Sequence, residues 1–285
     1  MLNKWIVEKG DIAVVRKLWH EARKRSFVQD RIDRNVNPAV LPPDFCREKF
    51  WYVMIGCLLT TQQRSGPGSR VSVFLRKECA NIQLCRLGRQ QVRDTLLGRF
   101  RSAGIWRAAV IADQASRNLE RLEDQGGWGK IEREYNDLLV SRSRQPRAGD
   151  SARERKAAHL VDGLLDGFGP KQSRNLWQWL GLTRYEIPLD SRIIKWLNEN
   201  VLSGGSMKLT APQLSDRYYY DHVLDGVQLL CEAADMLPCV FDATVFSLND
   251  REWRPGELED PPHLPRWRAP STISATGDGA ASSRV

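Results

Sequence analysis

The sequence predicts an all-α protein. Three observations carry that reading. Apolar residues recur three and four positions apart almost throughout, only short β-type runs occur, and Gly- or Pro-rich breakers separate the periodic stretches. The chain has 285 residues, room for one large domain or two small ones. Its 41% hydrophobic and 27% charged residues are those of a folded chain rather than a disordered one. No apolar run approaches the roughly 20 residues needed to span a bilayer, and the first residues lack the apolar core of a secretion signal. A cytoplasmic location is therefore expected, with no membrane partner.

Ile12, Val15, Leu18 and Trp19 mark a first helix. Residues 50–61 are apolar nearly all round, which predicts a central buried helix. Amphipathic helices are predicted over 71–79, 89–97 and 106–122, with Gly66-Pro67-Gly68 and Gly126-Gly127-Trp128-Gly129 as breakers. Further helices are predicted over 131–140 and 152–165, with a polar loop between them. A Gly-x-Gly turn then leads to helices over 171–180 and 191–201, followed by two near 217–234 and 239–247. From Arg251 the composition turns to Pro, Gly, Ser and charge. The expected organisation is an N-terminal helical extension over 1–44, a main domain over 45–250, and a disordered or loosely docked tail over 251–285.

The chain carries 43 Lys and Arg against 35 Asp and Glu, a net charge of +8. Between Arg64 and Arg107 lie ten basic residues and two acidic ones, so this window holds the whole excess. Such a concentration suits a phosphate-tracking surface, because each neutralised phosphate releases counterions. An ordinary solvated, Arg-rich face explains it equally well. The six cysteines form no C-x-x-C, and the four histidines lie far apart. Reduced, mostly buried thiols are expected, and no metal site.

The sharpest local signal is Leu165-Asp166-Gly167-Phe168-Gly169-Pro170-Lys171, set between two helices. Glycines let the backbone turn sharply, Pro170 suits the first turn of a helix, and the amides of such a turn form a nest for one phosphate. Alone, this corner is as readily a structural helix–turn–helix. Nineteen residues after Lys171, Asp190 is poised to open the next helix. One helix and one return loop bring Asp190 back toward the end that carries Lys171. As an N-cap it contributes about 1 kcal/mol, and that role is compatible with a catalytic one.

These residues resemble the helix-hairpin-helix DNA glycosylases, whose hairpin precedes a Gly/Pro-rich loop and a catalytic Asp. The resemblance spans about 45–249. It includes Leu58-Leu59-Thr60-Thr61-Gln62-Gln63, like the family's early helix ending in Gln, and the Gly turn from Ser102 to Ala109. It implies two helical subdomains with the active-site cleft between them. The apolar helix around residues 236–248 is loosely similar to the C-terminal helix of the 8-oxoguanine branch. Only Cys231 and Cys239 follow position 85, so no iron–sulfur cluster is expected, while the resemblance leaves room for a monovalent cation at the hairpin. Asp166 stands where the family usually has Pro.

What the resemblance implies is a DNA glycosylase with AP lyase activity, acting as a monomer on double-stranded DNA with a damaged or modified base. The base must first be extruded from the stack. Lys171 then attacks the deoxyribose and forms a Schiff base, and Asp190 stabilises the positive charge on the sugar. Gly167 and Gly169 grip phosphate, Gln62 and Gln63 plug the vacated stack, and Arg64 and Arg174 join the DNA contacts. Some of the ten tryptophans are candidates for stacking on the extruded base, most for the core. An oxidised purine of the 8-oxoguanine type, removed in base excision repair, is the first expectation. The alternatives are a hypermodified base in phage DNA, and a non-catalytic protein that keeps the hairpin as a DNA clamp.

Overall fold

A computed structural model describes residues 5–268 except 88–90, 125, 148, 204–207 and 255, and leaves out the side chain of Cys79. The described residues contain no β-strand; one isolated antiparallel bridge pairs Leu41 with Arg268. The helices, in order, are α1 (Lys9–Ala22), α2 (Ser26–Arg31), α3 (Arg47–Leu59), α4 (Arg70–Glu78), α5 (Val92–Ser102), α6 (Ala108–Asp124), α7 (Gly127–Arg142), α8 (Asp150–Leu164), α9 (Pro170–Trp179), α10 (Ser191–Asn200), α11 (Arg217–Ala233) and α12 (Pro238–Leu248). None is long and apolar enough to cross a membrane.

Two hydrophobic cores divide the molecule. In the first, α3 is surrounded by α4 to α9, and every residue from Lys49 to Leu59 is buried, as its unbroken apolar run requires. Burying each large apolar side chain stabilises the lobe by roughly 1.5–3 kcal/mol. The second core joins α10, α11 and α12 to α1 and α2. The N-terminal stretch, set apart by sequence, thus supplies Val15, Leu18, Ala22 and Val28 to that core. Residues 26–36 are helical where no helix was predicted: α2 runs into a π-helical turn over Ile32–Val36. A π turn and the loop after it leave carbonyls unpaired, and buried Arg142 collects them. Its guanidinium donates to the carbonyls of Arg34, Asn37 and Val40 at 3.0, 2.7 and 3.0 Å.

Up to residue 268 the tail, expected to be disordered or loosely docked, packs on the rest of the molecule. Asp260 accepts from Lys49 Nζ at 2.9 Å and from Trp267 Nε1 at 2.8 Å, and it pairs with Arg34 at 3.2 Å. Leu264 joins the first core. Glu252 accepts from Ser26 N at 2.6 Å. Composition alone reads as disorder here, but the segment is a strap held by charges supplied from both lobes. The rest of the expected tail, 269–285, lies outside the described residues.

Candidate active site

The chain turns between α8 and α9 through the predicted hairpin. Gly167 has φ +79°, where an L side chain is strained, and a Cβ there would lie 2.5 Å from the Gln114 side chain. Asn118 of α6 pins the turn by bonding both the N–H and the carbonyl of Asp166, at 2.6 and 3.0 Å. Asp166 pairs with Arg117 at 2.5 Å, a side-chain anchor for the turn. Pro170 opens α9, as its missing N–H allows. Among the described residues the N–H groups of Gly167 and Gly169 have no acceptor, so they remain available to an anion.

Lys171 is the second residue of α9, and Asp190 is the N-cap of α10. Asp190 Oδ1 accepts the N–H groups of Arg192 and Ile193 at 2.9 and 3.1 Å; Oδ2 takes the Arg192 guanidinium, Nε at 2.8 Å. Both residues line the same two adjoining cavities. Burial pushes the Lys171 ammonium below its ordinary pKa; the Asp190 charge opposes that shift. The N-terminal end of the α9 dipole acts in the same direction as burial. The α9 side is fixed further by Gln172, whose Nε2 donates to Thr60 and Thr61 at the end of α3.

The outer cavity is an open cleft of about 800 Å³ that brings together Gln62, Gln63, Arg64, Gly167, Gly169, Lys171 and Asp190. Gln62 is exposed, with φ 58°, while Gln63 is tied down through Leu59 O at 2.6 Å and the Trp106 N–H at 3.3 Å. Arg64 reaches the cleft but pairs with Asp250 at 2.5 Å. Arg174 does not reach it. Its side chain is fully buried behind the hairpin, bound to Glu186 at 2.7 Å, Asp221 at 2.5 Å and Pro170 O at 2.9 Å. Arg174 shares a face of α9 with Lys171 by spacing, but the carboxylates of Glu186 and Asp221 hold its guanidinium inward, away from the cleft. Acids distant in sequence also partner much of the basic window: Arg76 meets Glu257, and Arg93 meets Asp113.

The inner cavity, about 340 Å³, opens from the Lys171–Asp190 junction and is walled by both lobes. Sequence reasoning missed its principal polar group, Asp242 of α12. Burial pushes this carboxyl up to about 6, against the opposing charge of Arg31, 3.3 Å away. The one signal available was a lone acid inside the apolar run of 236–248. Phe246, one turn on, carries the Arg192 guanidinium 3.9 Å from its ring centre and stacks on Phe27 at 4.6 Å. Trp106, 60% exposed and next to Gln63, was also not singled out. Among the described residues no group of three or more His, Cys, Asp or Glu could hold a metal ion.

No family profile and no curated protein sequence matches the chain. Solved structures do. The 8-oxoguanine DNA glycosylase of Methanocaldococcus jannaschii superposes with a TM-score of 0.54 at 14% identity, over 84% of this chain and 92% of that one. The 8-oxoguanine DNA glycosylase of Thermotoga maritima gives 0.51 at 12% identity, over 83% and 94%. The chain has their fold. In this shared fold the hairpin, the lysine and the aspartate lie where the two cavities meet.

Proposed function

We propose that the protein is a DNA glycosylase with AP lyase activity. The observation that carries this reading is the placement of one lysine and one aspartate, from consecutive helices, at the junction of an open cleft and an enclosed pocket. A backbone in the outer cleft, held by the hairpin amides, presents an extruded nucleotide so that its base enters the inner pocket and its sugar stops at Lys171.

Burial favours the neutral amine. That amine attacks the anomeric carbon; the glycosidic bond breaks, and its electron pair leaves with the base. Asp190, its carboxylate fixed in place by two amides and a guanidinium, stabilises the positive charge developing on the sugar. The amine gives up its proton, the sugar ring opens, and an imine remains on Lys171. Loss of a proton from the neighbouring sugar carbon then expels the 3′ phosphate and nicks the strand. Gln62, exposed in the cleft, fills the gap left by the base, with the exposed Trp106 ring beside its neighbour Gln63.

8-Oxoguanine, the base named for both structural neighbours, is the first substrate to try. Release of free base from a lesion duplex, followed by a nick, is the expected result, and Lys171→Gln should abolish both. A protein that binds the duplex but releases no base and nicks no abasic site would leave only a DNA clamp.

A further inference from the structure

The inner pocket is larger than a compact base requires. Its volume of about 340 Å³ lies within the roughly 300–1,000 Å³ of pockets that enclose drug-sized ligands. Asp242 and Phe246 of α12 share it with Lys171. Much of the remaining wall is built by two segments outside the expected main domain: residues 27–35 and the strap. Both are fixed. Arg34 pairs with Asp30 at 2.8 Å and with Asp260 at 3.2 Å, and its Nη2 donates to the Leu258 carbonyl at 2.6 Å. That wall therefore exists before any substrate arrives.

Its lining is neither an apolar slot nor a single-sign charge field. Opposite charges are held against one another, presenting donors and acceptors at fixed positions. Phe27 and Trp253 stack beside them, ring centres 6.0 Å apart. Aromatic faces beside orienting polar groups suit a neutral ligand rich in hydroxyls.

Resting on the glycosylase reading above, we infer that the preferred substrate is an extended base. It carries a hydroxylated substituent of sugar size, which the chamber between residues 27–35 and the strap receives. Damage that leaves the base compact would fill only part of the pocket.

The test uses the full chain on four duplexes: glucosylated 5-hydroxymethylcytosine, 5-hydroxymethylcytosine, 8-oxoguanine and a preformed abasic site. Base release from the glucosylated duplex should exceed release from either compact base by at least about tenfold. Leu258→Trp, which keeps the backbone carbonyl bonded to Arg34 but fills the chamber, should remove that advantage. It should also leave borohydride trapping on abasic DNA within about twofold of wild type. Equal or faster release of a compact base by the wild type overturns the inference while the lyase reading stands. So does a Leu258→Trp protein that keeps its preference for the glucosylated duplex. Failure to trap on abasic DNA overturns the lyase reading itself.

Discussion

Asp190 has two roles that substitution can separate. One carboxylate oxygen caps α10 through the N–H groups of Arg192 and Ile193, while the other takes the Arg192 guanidinium. Asparagine caps a helix about as well as aspartate, so Asp190→Asn keeps the cap and loses the charge. Its lost pairing with Arg192, 27% exposed, costs below about 1 kcal/mol. Asp190→Ala loses both, and the missing cap costs about 1 kcal/mol. In a chain of this size that lowers the melting temperature by roughly 2–4 °C. Catalysis should respond differently. Removing one preorganised charge from a developing cation slows the step by roughly 100- to 1,000-fold, so single-turnover base release should fall by that amount in both variants. Trapping on a preformed abasic site, where no base departs, should fall far less. The loss of Asp190's charge also lowers the Lys171 pKa and raises the neutral fraction of the amine. Base release by Asp190→Asn within about tenfold of wild type would refute the electrostatic role. Equal melting temperatures for the two variants would refute the cap.

Other perturbations test the remaining assignments. Arg174→Met removes a fully buried guanidinium from Glu186, which keeps Arg155, and from Asp221, which keeps His159, and should cost about 1–3 kcal/mol, seen as a fall in melting temperature. A stable variant with weakened DNA binding would return Arg174 to the interface. Trp106→Ala should leave the melting temperature unchanged, because the ring is exposed, while weakening lesion-duplex binding measured by anisotropy by roughly tenfold. Trapping on abasic DNA should rise with pH as Lys171 deprotonates, and the rise should begin below the ordinary lysine range because burial depresses its pKa. Asp242's charge raises the Lys171 pKa, so Asp242→Asn should move the rise to lower pH; a move to higher pH would contradict the placement.

Much of the candidate site was legible because its signals are local. Gly167 announces a backbone conformation, Pro170 a helix start, and Asp190 a cap, each within a few residues. The apolar run of α3 marked a buried central helix for the same reason. The illegible features depend on partners far away in the chain. Arg174 looks like a DNA contact until Glu186 and Asp221 fold around it. The strap looks disordered until Arg34 and Lys49 meet Asp260. Residues 32–36 lack a regular helical pattern, because Arg142 satisfies their carbonyls from another helix. Asp242 lies in a run so apolar that periodicity registers only the core.

The most direct measurement is to reduce the protein with borohydride on abasic DNA, digest the adduct and locate the modified residue by mass spectrometry. A single sugar-derived mass on Lys171, absent from Lys171→Gln, is the expected result. An adduct on another lysine, or one that survives the substitution, would contradict the assignment of the nucleophile.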